Sequence, residues 1–161
     1  MIRLKTAVLL AASLKIGARL GGASVEDADR LYDFGMHIGV AFQLKDDLLD
    51  VYGNAKVFGK NIGGDILCNK KTYMLIKALE HANADQHNQL NSWINAETFQ
   101  PAEKIAAVTE LYDRIGVKAV CENKILEYSN WAMESLAAVS IAEEKKEELK
   151  KIIENLIHRE V

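Results

Sequence analysis

Phe42-Gln43-Leu44-Lys45-Asp46-Asp47-Leu48-Leu49-Asp50 is the stretch on which the reading of this chain turns. Apart from its acids it has the pattern of a buried helix, yet it carries three carboxylates. Burying ionised carboxylates is costly unless a positive group pairs with them. On a helical wheel with about 100° per residue and Asp46 at zero, Gly39 falls near 20°, Asp50 near 40°, Gln43 near 60° and Asp47 near 100°. Val40, Leu44 and Val51 border this stripe on one side, and Ile38, Phe42 and Leu49 on the other. The acids therefore form a narrow polar stripe in an apolar helix, where a solvated face would be wider and richer in Lys and Glu. Asp46 and Asp50 lie one turn apart, about 6 Å between Cβ atoms. At an effective dielectric near 20 such charges repel by about 3 kcal/mol.

Two readings of the stripe compete. One is a hard divalent cation held through oxygen ligands, and Mg²⁺ in particular is shared between one or two carboxylates and substrate phosphates. No His or Cys lies nearby to favour zinc. The other is an acidic helix face paired with Lys or Arg from a neighbouring helix.

The rest of the chain reads as helix too. Its 161 residues are 49% apolar, with one Pro and ten Gly. Long runs of Ala, Leu, Lys and Glu between sparse breakers predict an all-α fold of about seven helices in one domain over residues 1–161. With 20 Lys plus Arg against 23 Asp plus Glu, the net charge is -3. That excludes a generally basic nucleic-acid binder. Cys68 and Cys121 are isolated and fit a reducing cytoplasm. No apolar run reaches the roughly 20 residues of a membrane span, so no membrane insertion is expected.

A first helix is expected from Ile2 to Leu20, apolar almost all round from Ala7 to Leu14 and therefore inside a bundle. Gly21-Gly22 stops it. Ser24 with Asp27 resembles a capping box that opens a second helix running to Tyr52. Residues 53–67 read as a glycine-bearing loop. Helices are then expected over 66–83, 86–95, 101–116 with Pro101 in its first turn, and 117–139. A last helix is expected behind a Ser140–Glu143 capping box, with Leu149, Ile152, Ile153, Leu156 and Ile157 as its apolar stripe.

Basic residues accompany the acids. Lys5-Thr6 stands at the start of the first helix, where free N–H groups and the helix dipole favour anions. Lys60 lies between Gly59 and Gly63, and Lys70-Lys71 open the following helix. Each lysine alone reads as a solvated charge. Together with the acids and the glycines they point to a Mg–diphosphate site, and no GxxxxGK[ST] pattern makes it a P-loop. His37, about 180° from Asp46 on the wheel, reads as a packing or surface residue, as do Trp93 and Trp131.

Phe42-Gln43-x-x-Asp46-Asp47-x-x-Asp50, followed by Gly59-Lys60-x-x-Gly63-x-Asp65 and Lys70, with Lys5-Thr6 ahead of them, resembles the isoprenyl (polyprenyl) diphosphate synthase family in order and spacing. The resemblance spans the whole chain. It implies the all-α isoprenoid synthase fold and a Mg²⁺-dependent trans-prenyltransferase of isoprenoid biosynthesis, the farnesyl or geranylgeranyl diphosphate synthase kind, homodimeric as a full-length enzyme. Such an enzyme joins an allylic diphosphate to isopentenyl diphosphate. The resemblance makes Asp46, Asp47 and Asp50 the second Asp-rich motif and metal ligands, with Asp46 foremost. It places Lys5, Lys60 and Lys70 on the allylic diphosphate, and Thr6 and Gln43 at the reacting end, steadying the cationic centre.

Three differences from the family pattern stand out. Asn69 occupies a place that often holds Gly, and Tyr73-Met74 one that often holds Leu-Pro. The family's first Asp-rich motif and its isopentenyl-binding basic residues lie upstream of the Lys-Thr pair, so the resemblance implies a C-terminal half, inactive by itself. The alternatives are a non-catalytic helical partner that pairs through the apolar first helix, and a class I terpene cyclase, whose usual second motif FQxxDDxxD does not fit.

Overall fold

A computed structural model of the chain describes residues 2–54 and 62–158, the side chains of 157 and 158 excepted. Among the described residues there are no strands. The chain opens with a π-helical turn, Arg3–Ala7, and continues through α1 (Val8–Leu20), α2 (Val25–Tyr52), α3 (Gly64–Leu67), α4 (Tyr73–His81), α5 (Ala84–Asn95), α6 (Pro101–Ile115) and α7 (Val117–Ala137). A 3-10 turn, Glu143–Lys145, precedes α8 (Glu147–His158). The residues form two compact units, one of residues 1–45 and 124–159, the other of 46–123.

In the first unit α1 meets α2 through small residues. A Cβ built on Gly35 would lie 2.6 Å from Ala11 Cα, and one on Gly39 2.7 Å from Ala7 Cα. Only glycine allows the backbones so close. Ala7 and Ala11 are fully buried as a result, while Leu9 and Leu20 are 73% and 85% exposed. The expectation of a first helix buried all round therefore fails. The contact stripe is made of small residues with Leu14 beside Gly35, and Leu9 and Leu20 are left facing outward.

Ser24 caps α2 as expected, its Oγ accepting from Asp27 N–H at 3.0 Å. The box is not reciprocal. The Asp27 carboxylate instead accepts from Ser140 N–H at 2.9 Å and Arg30 at 3.1 Å. The second expected box, Ser140 with Glu143, does not form. The Ser140 N–H is spent on Asp27, Ala142 precedes the 3-10 turn with no side-chain cap, and Glu143 pairs with Lys146 and Lys150.

In the second unit α6 packs against α3, α4 and α5. Pro101 takes its first turn, and Gly116 closes it at φ 81°. The single helix expected over 66–83 is broken in two. Asn69 turns left-handed at φ 49°, and Thr72 then caps α4, its Oγ1 accepting from Leu75 N–H at 3.2 Å. The polar helix starts earlier than expected, because Asn83 and Gln86 form a full capping box. Leu48, Leu49, Ile66, Met74, Leu90, Val108 and Leu111 make this unit's core.

Candidate functional site

The acid stripe lies on α2, which is unbroken from Val25 to Tyr52. Its three aspartates have different fates. Asp47 is 2% exposed and accepts from Lys70 Nζ at 3.0 Å. The same ammonium reaches Asp65 at 2.7 Å, so one lysine bridges two helices' carboxylates. Burial pulls the Lys70 ammonium down, but hydrogen bonds to Asp65 and Asp47 outweigh it and hold its pKa above the ordinary lysine value. Asp50 accepts from the Asp65 N–H at 2.8 Å. Its carboxyl is nonetheless pushed up, first by burial and then by the charges of Asp65 and Asp46, against the pull of that hydrogen bond and of Lys70. Asp46 is half-buried, and among the described residues its carboxylate makes no hydrogen bond or ion pair.

Among the described residues the pairing alternative thus holds for Asp47 and not for Asp46. Asp46 and Asp50 are the carboxylates of the stripe that could offer oxygens to a hard cation. Among the described residues no three His, Cys, Asp or Glu side chains are gathered closely enough to cage a metal.

The loop glycine Gly63 places Asp65. It sits at φ 86°, a Cβ there would come within 2.6 Å of Ile105, and its N–H donates to the Asp50 carbonyl at 2.6 Å. Gly63 therefore seats α3 against α6 and holds Asp65 over the end of α2. Asp65 is the residue that sequence reasoning left out of the site. The signal was present as the Asp of Gly63-x-Asp65, but its pairing with Lys70 depends on the break at Asn69. A cavity of about 20 Å³ beside Asp65 and Lys70 has room for about one water.

In the first unit Thr6 Oγ1 donates to Gln43 Oε1 at 3.2 Å, which joins two of the expected residues. Lys5 is exposed. Both Lys5 and Thr6 lie in the π-turn, where Val8 N–H donates back to Arg3. An apolar groove of about 400 Å³, lined by Leu10, Ile38, Phe42 and Ile152 among others, opens in the same unit. Lys60 and Gly59 lie outside the described residues. His37 stacks against Tyr128 and Trp131, with ring centroids 6.2 and 5.7 Å away, and takes no part in the acid stripe.

Comparison with known proteins adds identity to this geometry. A family model described as "Polyprenyl synthetase" matches residues 1–112. A short chain isoprenyl diphosphate synthase of Methanothermobacter thermautotrophicus is 34% identical over 160 residues, covering 99% of this chain and 48% of that protein. A crystal structure of a geranylgeranyl pyrophosphate synthase superposes with a TM-score of 0.91 at 34% identity, over 99% of this chain and 50% of that one. A geranylgeranyl pyrophosphate synthase from Corynebacterium glutamicum, solved with isoprenyl diphosphate and magnesium, gives a TM-score of 0.86 at 32% identity, over 98% of this chain and 44% of that one. The chain spans about half the length of these relatives.

Proposed function

The chain belongs to the polyprenyl synthetase family, and from that premise we propose that it supplies the second Asp-rich side of a Mg²⁺-dependent prenyltransferase site. The observation that carries the proposal is the Asp46 carboxylate, which among the described residues makes no hydrogen bond or ion pair while its neighbours Asp47 and Asp50 are engaged. Asp46 holds the metal, with Asp50 beside it. Bound there, Mg²⁺ neutralises charge on a diphosphate leaving group. Asp47 orients Lys70. An ammonium has three donors, and Asp47 and Asp65 take two. The third, on a side chain 32% exposed, meets a diphosphate oxygen.

The substrates on this reading are an allylic diphosphate and isopentenyl diphosphate. The allylic C–O bond breaks with its electron pair leaving on diphosphate, the isopentenyl double bond attacks the allylic carbon, and a proton is lost to restore neutrality. Lys5 and Lys60 add positive charge for the diphosphate. The Thr6–Gln43 pair presents oxygen dipoles to the cationic carbon, and preorganised dipoles of this kind are worth most where water is excluded. The apolar groove beside Phe42 suits a hydrocarbon tail.

This chain carries one Asp-rich wall of the two in the family pattern, so by itself it binds Mg–diphosphate loosely and turns over little. A radiolabelled isopentenyl condensation assay checks this: weak or no product from the chain alone is expected, and substantial product would refute it. In an enzyme containing the whole site, Asp46→Ala should lower the condensation rate by about 10²-fold or more. An unchanged rate would remove Asp46 from the metal site.

A second reading, a helical subunit that pairs with another synthase chain, is favoured by the outward leucines of α1. Exposed apolar faces of that kind mark interaction surfaces. The homodimer of the family pattern is its simplest form.

A further inference from the structure

Lys104 is a lysine the site does not account for. It rises from the first turn of α6 and is 1% exposed. Among the described residues it pairs with no carboxylate. Its ammonium lies 4.2 Å from the centre of the Phe99 ring and donates to one neutral oxygen, Asn69 Oδ1, at 2.8 Å. A buried ammonium so poorly compensated costs stability, where Leu or Met would not. Burial accordingly pulls its pKa down.

The partner explains the cost. Asn69 is the one non-glycine residue among those described whose φ is positive, at 49°. Asn tolerates this conformation better than most residues but still less well than Gly. Its amide is tied at both ends, Oδ1 to Lys104 on α6 and Nδ2 to the Ile94 carbonyl on α5 at 2.9 Å. The backbone around it is bonded tightly: Asn69 N–H to Ile66 O, Lys70 N–H to Asp65 O and Thr72 N–H to Lys70 O, at 3.2, 2.9 and 2.7 Å. The residue that this turn delivers is Lys70.

We infer that Lys104 is a positioning residue: its buried ammonium locks Asn69 in the left-handed turn that brings Lys70 onto Asp47 and Asp65. The pairing of Lys70 stands on geometry alone, and the consequence for ligand binding rests on the diphosphate reading above. Without the lock the turn relaxes, Lys70 leaves its carboxylates, and the surroundings of Asp46 become more negative.

Lys104→Met keeps the length and packing of the side chain and removes its charge and donors. Three measurements on the full chain decide the matter: the Lys70 ammonium resonance by ¹H–¹⁵N NMR, the Kd for Mg–pyrophosphate, and Tm. The expected result is loss of the Lys70 signal, which two carboxylates protect from exchange, and a Kd weakened about tenfold. On an Asn69→Gly background, where the turn needs no lock, Lys104→Met should change Kd by less than about twofold. Asn69→Ala, which leaves Lys104 in place, should reproduce the loss of the Lys70 signal and serves if Lys104→Met does not fold. A fall in Tm with Lys70 unmoved in these variants would make Lys104 a structural residue and overturn the inference. If the Lys70 signal depends on Lys104 but the wild-type chain has no affinity for Mg–pyrophosphate, the positioning role stands and the diphosphate reading fails.

Discussion

One spacing, DDxxD, hides three chemically distinct aspartates. Asp47 is buried against Lys70, Asp50 is tied to a backbone N–H, and Asp46 is left over. On the proposed reading the last, which makes no ion pair among the described residues, is the one that takes the cation. A fourth aspartate, Asp27, shows the opposite use of a carboxylate. The Ser140 N–H, with Arg30 and the Ser140 and Ser24 side chains, holds its pKa below the ordinary 3.8 in spite of burial. A depressed folded pKa stabilises the fold above the unfolded value, and that contribution is lost as pH falls through the folded pKa. Asp27→Asn should therefore lower Tm at pH 7, and the gap from wild type should close as pH drops from about 4 toward 2. Melts at both ends of that range measure it; an equal Tm at pH 7 would mean the carboxylate charge contributes nothing. The chemistry of the acids was legible in the sequence, because three Asp in an apolar helix violate burial rules. Which acid Lys70 engages was not, since that depends on where Lys70 lands, and that follows from the turn at Asn69.

Helices here are set as much by side-chain capping as by periodicity. Pro101, Gly116 and Ser24 marked their boundaries correctly, since each acts on its own backbone. Boundaries that needed a distant partner were misread. Ser140 looked like a cap but gives its N–H to Asp27, more than a hundred positions away in sequence. The break between α3 and α4 depends on an Asn amide held by α5 and α6. Likewise, no pattern in α1 announces that Ala7 and Ala11 are its closest contacts to α2 while Leu9 and Leu20 face outward. The reason lies on the other helix, in Gly35 and Gly39. Gly39→Leu should drive α1 off α2, cost about 1–3 kcal/mol in urea unfolding and break the Thr6–Gln43 hydrogen bond one helical turn away. A variant as stable as wild type would show that the close approach is not needed.

For the molecule as a whole, the outward leucines and the half-length match to known synthases bear on the same question. Leu9, Ile16 and Leu20 recur on one face of α1 and are 73%, 59% and 85% exposed. Leu9→Lys with Leu20→Lys should abolish any concentration-dependent association seen by light scattering and leave Tm within about 1 kcal/mol equivalent of wild type, because surface changes rarely cost more. Association that persists would place the interface elsewhere. Among the described residues no helix is long and apolar enough to cross a membrane. The sequence by itself determined the all-α class, the family and the acid stripe, because each is written in local spacing: helical periodicity, a nine-residue motif, glycines at fixed offsets. Only the tertiary structure decided that Lys70 is shared between Asp47 and Asp65, and that Lys104 donates to Asn69 in the turn before it. Those facts depend on long-range meetings of side chains, where burial makes every charge seek a partner and where small residues decide which helices come close enough to supply one.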